Sequence, residues 1–138
     1  MVRFVDLFCG GGGSSCGARN AGWECVGGVD CNRQALDTYA INFKGARVLE
    51  CNMGHTEGQN AVVDAFSGVD AVIGGPPCQG FSKRNMNKGA KHEQMNKLPF
   101  AFADTAVRMN PGIVIMEEVV GAAAVVGMVA ERLTDAGY

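Results

Sequence analysis

The apolar run Val69-Asp70-Ala71-Val72-Ile73 stops abruptly at Gly74-Gly75-Pro76-Pro77-Cys78-Gln79-Gly80-Phe81-Ser82. The run reads as a buried parallel strand. Two glycines and two prolines forbid its continuation, so Cys78 is expected on a stiff loop just past the strand's carboxyl end. In open α/β sheets, ligands bind at that edge. Pro77 fixes its own φ and lacks an N–H, so the backbone aims the following thiol. A thiol held this way is a candidate nucleophile. The competing reading is a buried structural cysteine in a tight turn, because cysteines are common in cores. The surrounding glycines and prolines favour the nucleophile.

The rest of the chain repeats the same strand-then-turn design. Residues 2–8 alternate and are β-rich, and Cys9-Gly10-Gly11-Gly12-Gly13-Ser14-Ser15 follows at once. A helix is expected over residues 15–20, ending at Gly22. A strand, a glycine turn and a helix together make a cofactor cradle, since glycine lets the backbone approach a ligand closely. A plain flexible turn and a dinucleotide site remain as alternatives. In the dinucleotide reading, Ser15 takes the place of the last glycine of G-x-G-x-x-G.

A second strand at residues 25–29 closes on Asp30. An acid there can accept hydrogen bonds from both ribose hydroxyls of an adenosine cofactor. The alternative is a helix N-cap, for which Asn32 is better placed. Ala35, Leu36, Tyr39, Ala40 and Phe43 form an apolar helical stripe that reads as core. A third strand is expected at residues 45–49, with residues 50–53 as its exit turn. Asn52 either meets an adenine edge or caps that turn. Residues 57–66 read as a helix with Val62, Val63 and Phe66 inward.

Residues 83–97 carry Lys83, Arg84, Lys88, Lys91 and Lys97 against Glu93 alone, with no apolar period. A solvated loop is the usual meaning of such a run. Its start beside Cys78 favours contact with phosphates. A helix is expected over 98–109, burying Phe100 or Phe102 and Val107, with Asn110-Pro111-Gly112 as its stop. Residues 113–116 are apolar throughout, as a strand buried on both faces requires. They deliver Glu117 and Glu118 at the carboxyl end. A final amphipathic helix covers 122–135, ended by Gly137.

This order predicts an α/β fold: a Rossmann-like parallel sheet with helices on both faces. The glycine turn, Asp30, Cys78 and Glu117 each follow a strand, so all four gather along one sheet edge. The 138 residues suit one domain. A formal net charge of −2 supplies no global field for nucleic acid, leaving only local basic patches. There is no signal peptide pattern and no apolar run of membrane-spanning length. The six cysteines include no C-x-x-C pair, so reduced thiols are expected and a metal site is not. Apart from Cys78 they read as small apolar fillers or loop residues.

Five stretches, in order, resemble the DNA cytosine-5 methyltransferase family. Residues 6–13 resemble its S-adenosylmethionine loop, and Asp30 its ribose-binding acid. Pro77-Cys78-Gln79 resembles the catalytic motif, Leu98 with its helix a further cofactor segment, and Met116-Glu117-Glu118-Val119 the Glu-Asn-Val motif. The resemblance implies S-adenosylmethionine held by Phe8, Cys9, Gly10, Gly11, Gly12, Asp30, Cys31, Asn52, Pro77 and Leu98. It implies methyl transfer to cytosine C5 in DNA through a covalent Cys78 adduct, with Glu117 as the acid at ring N3. The target base would be flipped from the duplex. DNA contact is implied for Gln79, Ser82, Lys83, Arg84 and Lys88, and a restriction-modification setting for the whole. The compartment implied is cytoplasmic and nucleoid-associated in a prokaryote or virus, and nuclear in a eukaryote.

The chain departs from the family pattern in three ways. Glu118 replaces the usual Asn, which either raises the pKa of Glu117 or misplaces it. Asn52 stands where an acid is common. The resemblance covers only the first half of the family's catalytic domain, without its target-recognition region, so residues 1–138 are expected to need a complementary C-terminal part or subunit. The alternatives are a non-catalytic cofactor-binding remnant or split-enzyme subunit, and a tRNA cytosine-5 methyltransferase. A NAD-dependent oxidoreductase is more remote, because it leaves Pro77-Cys78 unexplained.

Overall fold

The computed structural model describes residues 1–77 and 97–138. Five parallel strands alternate with helices: β1 (Arg3–Leu7), α1 (Gly13–Asn20), β2 (Glu24–Asp30), α2 (Arg33–Asn42), β3 (Arg47–Glu50), α3 (Thr56–Phe66), β4 (Ala71–Gly74), α4 (Leu98–Met109), β5 (Ile113–Met116) and α5 (Ala123–Asp135). A single 3-10 turn, Val120–Ala122, leads into α5. The sheet order is β3-β2-β1-β4-β5. The order reverses between β1 and β4, and that switch point opens a crevice at the strands' carboxyl ends. The fold is the expected Rossmann-like sheet.

Alternation along β1 and β4 divides the core. Val5, Leu7 and Val72 pack with Val62 and Phe66 of α3 and with Phe102, Ala106 and Met109 of α4. Phe4, Ala71 and Ile73 point the other way, against Ala18 of α1 and Trp23. Leu36, Tyr39 and Phe43 of the α2 stripe form a third cluster with Cys9. Ala40, expected in that stripe, is exposed, because the stripe is narrower than the apolar residues alone suggested. On α4 the buried aromatic is Phe102, while Phe100 and Val107 are only partly covered. α5 lies over α4, with Val125 and Val129 against Ala103.

Local chemistry explains where the elements start and stop. Asn32 caps α2 by accepting from the Ala35 N–H at 3.2 Å. Pro99 stands in the first turn of α4, where its missing N–H costs nothing. Asn110 ends α4 in the left-handed region at φ 51°. α1 begins at Gly13, two residues before the expected start. β3 runs to Glu50, which is therefore strand rather than exit turn. Asp70 lies just outside β4 and accepts from the Arg3 N–H at 2.8 Å, tying the open ends of β1 and β4.

β5 departs most from expectation. Val114 and Met116 face the core, but Ile113 and Ile115 are 37% and 47% exposed. Apolar character alone does not tell a strand covered on two faces from one covered on one. Among the described residues α1 reaches only as far as β4 on this side. An apolar cleft of about 220 Å³ remains between Gly17, Ala18, Ala21 and Trp23 on one wall and Ile73 and Ile115 on the other. Ile115→Ser is expected to change unfolding free energy by less than about 0.5 kcal/mol and to reduce self-association seen by light scattering. A stability loss well above that would show that the face is covered.

Candidate functional site

β1 delivers Phe8 to the crevice with φ 60°, a left-handed value uncommon outside glycine. Gly10 and Gly12 then take φ 51° and 98°. Gly12 has no room for a side chain, because a Cβ there would overlap the Phe43 ring. Gly10 and Gly13, by contrast, would meet nothing within 4 Å, so the outer surface of the turn is open. α1 starts immediately behind it. There the Gly12 N–H donates to the Cys9 carbonyl, the Cys16 N–H to the Gly12 carbonyl and the Ser15 N–H lies against Asp6, leaving those of Gly13 and Ser14 for a negative group.

Asp30 fastens the turn to β2. Its Oδ2 accepts from the Gly10 N–H at 2.9 Å, and its Oδ1 from the Asn32 N–H at 2.8 Å. Each carboxylate oxygen retains a lone pair for a ligand hydroxyl. Cys9 is an apolar filler, as expected of the cysteines other than Cys78. Its side chain is buried with Leu36, Tyr39 and Phe43, its N–H donates to the Val29 carbonyl, and its own carbonyl accepts from Gly12. It shapes the turn from beneath and has no free donor for a ligand.

Across the crevice, Asn52 Oδ1 accepts from the Gly54 N–H at 2.9 Å, so Asn52 caps the exit of β3. Leu98 lies close by: a Cβ on Gly54 would stand 3.5 Å from Leu98 Cδ2 and 3.0 Å from Asn52 Oδ1. The β3 exit and the start of α4 thus form one wall, and Cys31 lies exposed beside Asp30. Pro77 is the last described residue of the loop after β4. Cys78, Gln79, Ser82, Lys83, Arg84 and Lys88 lie outside the described residues.

Glu117 is held against the start of that loop. Its N–H donates to the Gly74 carbonyl at 2.9 Å, and a Cβ on Gly75 would stand 3.1 Å from Glu117 Oε2. Its residue is exposed. Glu118, beside it, is half-buried. There, desolvation pushes the carboxyl up, partly opposed by its bond to the Val119 N–H, with Glu117 adding to the rise. Oε1 of Glu118 is buried with no partner among the described residues.

Beneath the glycine turn lies a polar chain that the sequence reading missed. Ser15 Oγ donates to Asp6 Oδ2 at 2.7 Å and lies 2.7 Å from the Tyr39 hydroxyl, which lies 3.1 Å from Cys25 Sγ. With Asp6 ionised, Ser15 has spent its one proton. The Tyr39 hydroxyl has two acceptors for its one proton, Ser15 Oγ and the Gly27 carbonyl at 3.2 Å. The available signal was a carboxylate inside an apolar strand. Asp6 is 1% exposed and its Oδ1 has no partner among the described residues. Burial pushes its carboxyl up to about 6, against the lowering effect of Ser15.

That shift has a definite sign. The folded chain holds the Asp6 proton more tightly than the unfolded chain, whose carboxyl titrates near 3.9. The resulting stability is fully present below about pH 4 and is lost as pH rises through about 6. The loss is about 3 kcal/mol at most. Asp6→Asn is expected to remove this decline. Urea midpoints of both chains across that window check it, since other carboxylates cancel in the difference. Parallel curves would contradict it.

A family model for C-5 cytosine-specific DNA methylase matches residues 2–138. The type II methyltransferase M.HgiDI of Herpetosiphon aurantiacus is 35% identical over 86% of this chain and 37% of its own length. M.HgiGI from the same organism is 34% identical over 86% of this chain and 90% of its own. Among solved structures, a prophage-encoded DNA modification methyltransferase from E. coli superposes with a TM-score of 0.78 at 26% identity, covering 98% of this chain and 38% of that one. The DNMT2 of Spodoptera frugiperda shares the fold at a TM-score of 0.72 and 22% identity, covering 99% of this chain and 41% of that one. The chain therefore spans little more than a third of the length of M.HgiDI and of the E. coli structure.

Proposed function

The chain belongs to the C-5 cytosine-specific DNA methylases, and from that premise we propose that it supplies the cofactor cradle and the reacting side chains for methyl transfer from S-adenosylmethionine to C5 of cytosine in DNA. The observation that carries the reading is the crevice at the switch point, where an open glycine turn, Asp30 and Glu117 share one sheet edge. The groups fit the cofactor. The open faces of Gly10 and Gly13 admit a ligand against the backbone, the free N–H groups at the start of α1 suit its carboxylate, and the spare lone pairs of Asp30 suit its ribose. Phe8, Gly11, Gly12, Cys31, Asn52, Pro77 and Leu98 complete the proposed surround, with Cys9 acting only through the shape of the turn.

When bound, the cofactor supplies an electrophilic methyl group. Cytosine C5 is too weak a nucleophile to take it unaided. In the proposed reaction the Cys78 thiolate adds to C6, which makes C5 enamine-like. Glu117 gives or shares a proton at N3, stabilising the charge that the addition creates. Contact with the flipped base would cover Glu117, which is exposed here. After transfer the C5 proton leaves and Cys78 is expelled. Lys83, Arg84 and Lys88 are proposed to meet the DNA phosphates, with Gln79 and Ser82 beside the flipped nucleotide.

Selection of a target sequence is proposed to rest on protein outside these residues, whether joined to this chain or supplied by a complementary subunit. By itself the chain is expected to bind cofactor weakly and to methylate without tight sequence preference. An oligonucleotide carrying 5-fluorocytosine, which blocks proton loss, tests the reaction when incubated with S-adenosylmethionine and the purified chain. A covalent protein–DNA adduct is the expected product. Retained cofactor binding with no adduct, even after long incubation, would favour a non-catalytic role.

A further inference from the structure

Two thiols meet at the rim of the crevice, at the ends of neighbouring strands. In the β2–β3 ladder Asp30 pairs with Glu50, and the Cys51 N–H donates to the Asp30 carbonyl at 3.1 Å. The next residues past the two strand ends are Cys31, in the bend where the Asn32 N–H closes on Asp30, and Cys51. Neighbouring strands run about 4.8 Å apart, within the roughly 4.4–6.8 Å that a disulfide spans between Cα atoms. Both thiols are free. They differ in setting: Cys31 is exposed, whereas Cys51 is half-buried, with its Sγ 3.7 Å from the Gly58 carbonyl. Burial pushes the Cys51 thiol up, and the neighbouring Cys31 adds to the rise, as expected of two sulfurs that share one side of the ladder.

We propose that Cys31 and Cys51 are a redox-responsive pair that closes to a disulfide across the exits of β2 and β3. The oxidant is hydrogen peroxide. The Cys31 thiolate, open to solvent, attacks one peroxide oxygen. The O–O bond breaks, hydroxide departs, and Cys31 becomes a sulfenic acid. The Cys51 sulfur then attacks that sulfur. The S–O bond breaks, and the leaving hydroxide takes the Cys51 proton as water. The sum is two thiols and one peroxide giving one disulfide and two waters. The bridge would tie the residue after Asp30 to the residue before Asn52. Its consequence for the cofactor rests on the function proposed above, because those residues frame the proposed adenosyl side of the site.

The test treats the purified chain with hydrogen peroxide and locates the products by proteolysis and tandem mass spectrometry. A Cys31–Cys51 link that dithiothreitol reverses and Cys31→Ser abolishes is the expected result. Cys31 stopping at sulfenic or sulfinic acid, or pairing with another cysteine, would overturn the proposal. S-adenosylmethionine titrations of the reduced and oxidised chains form the second arm. A weakening of about tenfold on oxidation, restored by reduction, is expected. A link with unchanged affinity would overturn the coupling to the cofactor. If the reduced chain binds no cofactor while the link still forms, the proposed function fails and the thiol pair stands.

Discussion

Cys78→Ser is expected to abolish covalent capture of 5-fluorocytosine DNA, with the adduct rate falling at least about 10⁴-fold. The reason is elementary. A thiol with a pKa near 8.5 is already a few per cent thiolate at neutral pH and is intrinsically nucleophilic. A serine hydroxyl in the same place has no comparable anionic fraction. Glu117→Gln keeps the size of the side chain but removes the proton for ring N3. It is expected to slow capture by about 10²–10⁴-fold while leaving cofactor binding within a small factor. Gel-shift capture under denaturing conditions, followed over time, reads both effects. Equal rates for the wild-type and Cys78→Ser chains would assign the adduct to another nucleophile.

Asp30→Ala is expected to lower stability by about 1–2 kcal/mol and to weaken S-adenosylmethionine binding by roughly a hundredfold. The stability loss follows from two backbone donors, Gly10 and Asn32, that now end on its carboxylate. The binding loss has two sources. The ribose acceptors disappear, and the glycine turn loses the tie that fixes it to β2. Asp30→Asn separates them, because an amide keeps one acceptor for the backbone. It is expected to recover much of the stability and little of the affinity. Calorimetric titration and urea unfolding of both variants make the comparison. Full affinity in Asp30→Ala would place the cofactor elsewhere.

The fold was legible because buried parallel strands are short apolar runs, and here each is closed by glycine, proline or a polar turn. β4 shows this well: it ends at Gly74, one residue past the expected Ile73, because Gly74 still pairs with Leu7 and Met116 before Pro76-Pro77 end it. β5 shows the limit. Its four apolar residues match a doubly covered strand, yet Ile113 and Ile115 are exposed, because cover depends on a neighbouring element and not on the strand's own composition. The placement of Asp30 at the end of β2 was also legible. Its double commitment to Gly10 and Asn32 was not, since strand periodicity says nothing of which donors converge on a carboxylate.

The buried chain from Asp6 to Cys25 illustrates a different failure. Tyr39 was read correctly as core, but a helical stripe does not record what a phenol hydroxyl finds when it arrives there. Asp6 was the warning, a charge inside an apolar strand, and Ser15 nine residues later is its partner. Cys9 shows a related limit. Its place next to the glycines suggested a ligand contact, whereas the left-handed turn at Phe8 sends its side chain into the cluster with Leu36, Tyr39 and Phe43. Cys31 and Cys51 read singly as fillers or loop residues, Cys31 also as a cofactor contact, and only the strand register places them at neighbouring strand ends.

The central claim is that the glycine turn and Asp30 form the place where S-adenosylmethionine binds. Amide chemical shifts of the isotope-labelled chain, followed by NMR during titration with S-adenosylmethionine, test it most directly. Saturable shifts concentrated at residues 8–14, 30–32, 52–54 and 98 are expected, with the midpoint moved about a hundredfold higher in Asp30→Ala. Shifts centred away from that rim, or none at millimolar cofactor in a chain that remains folded, would contradict it.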